Sequence, residues 1–459
     1  MTADTASRHD VSKPLVAIAA TLEAGRSTAE AMAGRCLERI LDPAGEGERS
    51  FLHVDEVKTQ DLARASDLQR AHGAVPSRLA GVPVSVKDLF DIAGEVTQAG
   101  STILADAAPA PRDAPAIARL RAAGAVFVGR TNMTEFALSG VGINVHYGTP
   151  ANPWDRGAKR IPGGSTSGGA VSVADGMAAL AIGSDTGGSC RIPAALCGLT
   201  GFKPTAARIS LAGAFPLSPS LDSIGSMGRS VACVALADAI MAGEHCAAPV
   251  SGSVARLRLA LPKSFVLDDM DEAVARDFDA ALRRLRDGGA IIEDVPVEEI
   301  DALPAIQKGG GIVTTEALAV HRERIVSHAA DYDPRVRSRI EMAVEVLGAD
   351  YVLYGMKRAE LIARFAQRMA GYDAMILPTV PIIAPPLSAF EADDDYTRLN
   401  RLLLRNPSCF NLLDGCAVSL PCHQPGEAPV GLMLASSRGA DKHLLNVAAT
   451  VEAAIAPHQ

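Results

Sequence analysis

Two loops rich in glycine and hydroxyl residues hold the groups best suited to chemistry. The first is Pro162-Gly163-Gly164-Ser165-Thr166-Ser167-Gly168-Gly169, and the second is Gly183-Ser184-Asp185-Thr186-Gly187-Gly188-Ser189-Cys190-Arg191-Ile192-Pro193. Glycine runs let the backbone adopt positive φ and approach a ligand closely. Several successive N–H groups can then converge on a concavity that holds an anion or an oxyanion. In the second loop those donors stand directly before Ser189. Acyl transfer needs that order, because a hydroxyl attacking a carbonyl requires N–H groups waiting for the oxygen that becomes negative.

A serine nucleophile also needs a base. None of the ten histidines lies in either loop; the nearest is His146, among Asn144, Tyr147 and Gly148. The other candidate is Lys87, at the end of an apolar stretch and shortly after Ser85. A lysine accepts a proton only when neutral, and desolvation at the end of a buried strand lowers its pKa. Its expected hydrogen-bond partners are Ser85, Ser165 and nearby backbone. The residues alone leave a plainer arrangement open, with the glycine loops as tight turns and Lys87 a surface charge paired with Asp88.

Other chemistries lose support motif by motif. There is no phosphate-binding G-x-x-x-x-G-K-[ST], no G-x-S-x-G elbow and no H-E-x-x-H, and Gly140-Val141-Gly142 lacks the third glycine of a dinucleotide loop. Cys409, Cys416, Cys422 and His423 are close in sequence but sit among apolar neighbours without zinc spacing. They read as core residues, and no metal site is expected.

The elements that must position the loops follow from hydrophobic periodicity and turn residues. Ser27 and Glu30 suggest a capping box opening a helix that runs to about residue 41, and a second helix is expected over 60–71. A buried strand over 81–86 ends at Lys87-Asp88. A helix over 113–123 precedes a strand over 125–128, and a helix over 168–174 with a strand over 178–182 separates the two loops. Later strands are expected at 257–261, 291–295, 374–377, 417–420 and 430–434, and later helices at 271–286, 314–327, 351–369 and 442–454. This alternation is the mark of α/β layering. It predicts one large domain over 15–459, after a frayed tail over 1–14.

Composition narrows the partners. The 459 residues are 48% apolar with 44 Lys and Arg against 53 Asp and Glu, a net charge of −9. An acidic chain with one Trp, six Tyr and eleven Phe is a poor match for nucleic acid or an anionic membrane. No apolar run is long enough to span a bilayer, and residues 1–14 do not resemble a signal peptide. Eight cysteines without a C-x-x-C pair read as reduced thiols of a cytoplasmic protein.

At these residues the chain resembles the amidase signature family of serine hydrolases. The resemblance covers most of the chain. It begins at Gly81-Val82-Pro83-Val84-Ser85-Val86-Lys87-Asp88 and runs through Gly129-Arg130-Thr131-Asn132-Met133-Thr134-Glu135-Phe136 and Tyr147-Gly148-Thr149-Pro150-Ala151-Asn152-Pro153-Trp154. It continues through the block over 163–204, within a signature core of about 81–205, to Phe410-Asn411 and Pro429-Val430-Gly431-Leu432-Met433-Leu434. It implies a central mixed β-sheet covered by helices on both faces, and no cofactor. It implies Ser189 as nucleophile, Ser165 as a bridging serine after a cis peptide bond, and Lys87 as general base. The oxyanion donors would be the backbone N–H groups of Thr186, Gly187, Gly188 and Ser189. The chain departs from the family's usual residues at Thr166 and Cys190, and neither change removes a catalytic group. Asp185 and Arg191 are expected to pair and fix the nucleophile loop, Asn132 and Glu135 to brace the site, and Met133, Phe136 and Leu138 to line an acyl pocket.

The function so implied is hydrolysis of a small-molecule carboxamide to a carboxylate and ammonia or an amine through an acyl-serine. A homodimer is left open. The runner-up is the glutaminase subunit of a tRNA-dependent amidotransferase, which needs an arginine on the helix after Tyr351 to hold the glutamine carboxylate. There the chain reads Leu361-Ile362-Ala363 before Arg364, a poor match. A binding protein on a retired scaffold is a third reading, opposed by intact Lys87, Ser165 and Ser189. Few aromatics and no arginines clustered near the loops suggest a small uncharged acyl group.

Overall fold

The computed structural model describes residues 10–456. Eleven strands form one sheet: β1 (Phe51–His53), β2 (Pro83–Lys87), β3 (Val126–Thr131), β4 (Leu180–Ser184), β5 (Thr200–Lys203), β6 (Ile224–Gly228), β7 (Arg258–Lys263), β8 (Ile291–Pro296), β9 (Ala374–Pro378), β10 (Cys416–Pro421) and β11 (Gly431–Ser436). Their order is β1-β3-β2-β4-β6-β5-β10-β11-β9-β7-β8. The sheet is mixed. β2 runs parallel to β3 and β4, and β7 to β8 and β9, while the strands between these blocks pair antiparallel.

Side chains alternate across a strand, and here both faces are buried. Ile376, Val418, Leu432 and Leu434 join Phe278, Leu282, Leu444 and Val451 in one core. Their neighbours Leu377, Ala417, Met433 and Ala435 join Leu361, Phe365 and Phe410 in another. Helices Glu272–Asp287 and Asp441–Ile455 therefore cover one face, and Gly348–Met369 and Asp393–Leu412 the other. A sheet covered twice makes its strands near-continuous apolar runs, which is why most were readable from sequence.

Four local expectations are corrected. The helix expected from Ser27 is Ala29–Ile40, capped by Thr28, whose hydroxyl accepts the Ala31 N–H at 3.1 Å. Of the tail expected over 1–14, residues 1–9 lie outside the described residues, while 10–14 pack against the body: Val11 is buried and Asp10 bonds Arg39. β5 and β6 were not foreseen, because Thr200-Gly201-Phe202-Lys203 and Ile224-Gly225-Ser226-Met227-Gly228 have poor strand propensity. Close approach explains their glycines. A Cβ at Gly225 would collide with the Phe202 carbonyl, and one at Gly201 with the Cys190 carbonyl. The helix Asp393–Leu412 was missed as well; it begins Asp-Asp-Asp and contains Pro407, which reads as a break.

Candidate active site

β2, third strand from one edge, carries Lys87 at its C-terminal end between β3 and β4, where it is wholly buried. Its Nζ donates to Ser165 Oγ at 2.8 Å and to Ser184 Oγ at 2.9 Å. Burial pushes its pKa down to about 8, although Asp185 and Asp222 pull the other way. Lys87 is thus neither exposed nor paired with Asp88. Asp88 instead takes the Arg130 Nε at 2.8 Å and the Gly100 N–H at 3.1 Å. Ser85, an expected partner, lies on the same face of β2 but bonds Ser172 at 2.9 Å. Ser184, at the end of the adjacent strand, takes that place. Sequence reasoning missed it, although it stands inside the second glycine loop.

Ser165 follows a cis Gly164–Ser165 peptide. Its loop is tied to Ser189 through the backbone, the Thr166 N–H donating to the Ser189 carbonyl at 3.3 Å. The Ser165 and Ser189 hydroxyls are not hydrogen-bonded to each other here. Hydrogen bonds of a catalytic relay often tighten only when substrate is bound. Ser189 opens onto a cavity of about 960 Å³.

The donors expected before Ser189 divide into two sets. The Gly188 N–H is consumed by Asp185 Oδ1 at 2.8 Å, and the Cys190 N–H by Asp185 Oδ2 at 3.1 Å. Gly188 is therefore not an available oxyanion donor; its amide builds the loop. The N–H groups of Thr186, Gly187 and Ser189 have no acceptor among the described residues, and all three residues line the cavity. The Thr186 side chain is anchored from outside by Asp222, 2.5 Å from its hydroxyl, and Asp222 also accepts the Leu217 and Ser218 N–H groups. Nothing in the sequence around Asp222 marked it.

Asp185 and Arg191 form a buried bidentate pair, with Nε to Oδ2 at 3.0 Å and Nη2 to Oδ1 at 2.9 Å. Burial works to raise the Asp185 pKa, but the Arg191 charge and hydrogen bonds, with Lys203 and Asn411, hold it well below the usual carboxylate range. Asn411 completes the network. It accepts from Arg191 at 2.7 Å and donates to both the carbonyl and Oδ1 of Asp185 at 3.0 Å. Leaving either charge unpaired in such a setting is strongly destabilising. The loop bearing Ser189 is thereby held from inside by an ion pair, while Thr186, Gly187 and Ser189 line the cavity.

His146 lies elsewhere. Its Nε2 bonds Glu135 Oε1 at 2.8 Å, a contact that raises its pKa, and it makes no contact with either serine. Glu135 also accepts the Ser101 hydroxyl at 2.6 Å and the Asp333 N–H at 2.8 Å, which pins the start of helix Pro334–Glu341. Asn132 donates to the Arg49 and Gly148 carbonyls at 2.8 Å. Met133 and Phe136 do not line the cavity. Both are fully buried, and Phe136 packs against Phe215, His321 and Tyr332. The backbone turns at Phe136 (φ 50°), so the wall is made by the next residues, Ala137, Leu138 and Ser139. Cys190 is fully buried; burial pushes its thiol up to about 12, and it donates to the Ser184 carbonyl. Cys409, Cys416 and Cys422 are buried free thiols, as expected of core cysteines.

A family model for amidases matches residues 37–445. The chain belongs to the amidase family. It is 34% identical to a 2-amino-5-chloromuconic acid deaminase of Comamonas testosteroni, over 95% of both chains. It is equally identical, over 96% of both chains, to the A subunit of the glutamyl-tRNA(Gln) amidotransferase of Salinispora arenicola. Among solved structures, an amidase superposes with a TM-score of 0.87 at 30% identity, covering 96% of this chain and all of that one. A member of a vestigial protein complex bearing on the origin of an s-triazine catabolic enzyme superposes with a TM-score of 0.85 at 30% identity, covering 96% of this chain and 98% of that one. Enzymes of the amidase family are hydrolases acting on C–N bonds. Because one of these relatives is an amidotransferase component, the position of Arg364 in this amidase-family chain bears on function. Arg364 lies away from the cavity and pairs with Glu298 at 2.9 Å and Glu299 at 3.5 Å.

Proposed function

We propose that the protein is a free-standing amidase that cleaves a carboxamide through an acyl ester on Ser189. The observation that carries this reading is the buried Lys87 bonded to Ser165, beside a loop whose Thr186, Gly187 and Ser189 line the cavity with N–H groups that have no acceptor among the described residues. Neutral Lys87 takes a proton from Ser165 as Ser165 takes one from Ser189 Oγ. That oxygen attacks the amide carbonyl, and the resulting oxyanion is met by the N–H groups of Thr186, Gly187 and Ser189. The relay returns the proton to the amide nitrogen, the C–N bond breaks, and ammonia or an amine departs. Water, deprotonated by the same relay, attacks the ester; the second collapse frees the carboxylate and restores Ser189. The proton that Lys87 gains offsets the charge on the substrate oxyanion, so each step balances over the relay and its bound substrate and draws on no cofactor.

The relatives among amidotransferase A subunits favour a second reading, a glutaminase that works with a partner. Against it stands Arg364, which is engaged by glutamates away from the cavity. Purified protein alone, assayed on a panel of primary amides, separates the two. Turnover without a partner, lost in Ser189→Ala, supports the amidase. Glutaminase activity that emerges only with an added partner would replace it.

A further inference from the structure

The cavity that reaches Ser189 carries more positive charge than the glycine loops suggested. Its wall includes Arg335 and Arg339 from helix Pro334–Glu341, and Arg401 and Arg405 from helix Asp393–Leu412. Two of the four are fully engaged. Arg335 pairs with Asp393 at 2.8 Å, donates to the Phe390 carbonyl at 2.9 Å and stacks over Tyr396 at 4.5 Å. Arg405 donates to the Val266 and Asp268 carbonyls at 3.1 and 2.7 Å.

The other two are not. Arg339, half-buried, makes one bond, to the Leu138 carbonyl at 2.7 Å, and Arg401, exposed, makes none. Neither has a carboxylate partner among the described residues. The acids in the same wall are already used. Asp393 serves Arg335, and Asp333 accepts the Arg335 backbone N–H at 2.9 Å to cap its own helix. Burial lowers the Arg339 pKa, Tyr396 opposes that, and the Arg401 charge lowers it further, so the two guanidiniums are near enough to repel. Guanidiniums with unused donors match a carboxylate bidentately.

We propose that Arg339 and Arg401 form an anion subsite, and that the substrate is a small primary amide bearing a carboxylate a few carbons from the amide, such as a dicarboxylic acid monoamide. This departs from the uncharged acyl group expected from sequence. Those arginines lie about 150 residues or more beyond the loops and enter the site only through the fold. The inference rests on the amidase reading and specifies its substrate class.

The test is a matched series: malonamate, succinamate, glutaramate and adipamate, each against the neutral primary amide of equal length. One chain length should exceed its neutral counterpart in kcat/KM by about 100-fold or more. Arg401→Gln and Arg339→Gln should each shrink that preference about 10- to 100-fold, chiefly through KM. Arg401 makes no intramolecular bond, so its variant keeps the test open should Arg339→Gln fold poorly. Arg364→Gln, away from the cavity, should leave the preference intact. Equal use of acidic and neutral amides, or a preference that survives Arg401→Gln, would overturn the subsite. Calorimetry on Ser189→Ala separates the two claims: acidic amides that bind there and lose affinity with Arg401→Gln uphold the subsite even if wild type hydrolyses none, and the amidase reading alone then fails.

Discussion

Lys87, at the end of β2, and Lys203, at the end of β5, are both fully buried lysines, and burial pushes both down to about 8. Their partners differ. Lys87 faces the hydroxyls of Ser165 and Ser184, whereas Lys203 faces the carbonyls of Pro204 and Gly415, each at 2.7 Å. A hydroxyl both donates and accepts, so it can carry a proton to or from the amine. A carbonyl only accepts, so it can hold an ammonium but never reprotonate it. Burial alone therefore does not make a catalytic lysine. In the proposed mechanism the same desolvation serves a base in one place, while in the other the lysine clamps the chain, joining β5 to the turn before β10.

The largest expected effects break the comparison on the Lys87 side. Ser189→Ala should lower kcat by about four orders of magnitude or more while the fold survives, since only one small hydroxyl is lost. Lys87→Ala should cost nearly as much, because residues of a relay act as a unit. Lys87→Arg should not restore activity, since a guanidinium does not deprotonate in this range. Steady-state kinetics with circular dichroism as a fold check reads all three. Near-normal kcat in Lys87→Ala would shift the base elsewhere.

On the other side, Lys203→Met should act through stability. It strands two buried carbonyls and removes a charge near Asp185, a loss of about 2–4 kcal/mol by denaturant unfolding. The relay would remain in place, so kcat in the folded fraction should fall less than about tenfold. A collapse of kcat without loss of stability would mean that Lys203 also handles protons. The smallest effect sharpens the contrast. Ser184→Ala removes one acceptor from the Lys87 ammonium, so the Lys87 pKa should drop and the alkaline rise in rate should begin at lower pH. The accompanying change in kcat should be about tenfold.

The two glycine loops and the Asp185–Arg191 pair were readable because their signals are local: glycines, hydroxyls and the bracketing charges occur within a few tens of residues. Three features were not. Asp222 anchors Thr186 across 36 positions and has no motif of its own. Gly188 looked equivalent to Gly187, and only the turn geometry shows its amide spent on Asp185. The cavity wall depended on helix Asp393–Leu412, hidden by Pro407, whose carbonyl instead receives Arg191 Nη1 at 2.9 Å. With that helix unseen, Arg401 was invisible as a cavity residue; separately, Phe136 was credited with a place on the wall that Ala137 and Ser139 hold beside the expected Leu138. The fold was easier, since strands buried on both faces announce themselves as apolar runs. The glycine-bearing β5 and β6 are strands for a reason only packing supplies.

The central claim is that neutral Lys87 activates Ser189 and that Lys203 does not. The pH dependence of Ser189 labelling by a fluorophosphonate, in wild type and Lys203→Met, tests it without reference to any substrate. Below about pH 8 Lys87 holds its proton and cannot accept another, and above it the amine is free. The labelling rate should therefore rise with pH through a single step near 8, a value belonging to the coupled relay, and Lys203→Met should keep that midpoint. A midpoint in the ordinary histidine range, or one that moves with Lys203 in place of Lys87, would contradict it.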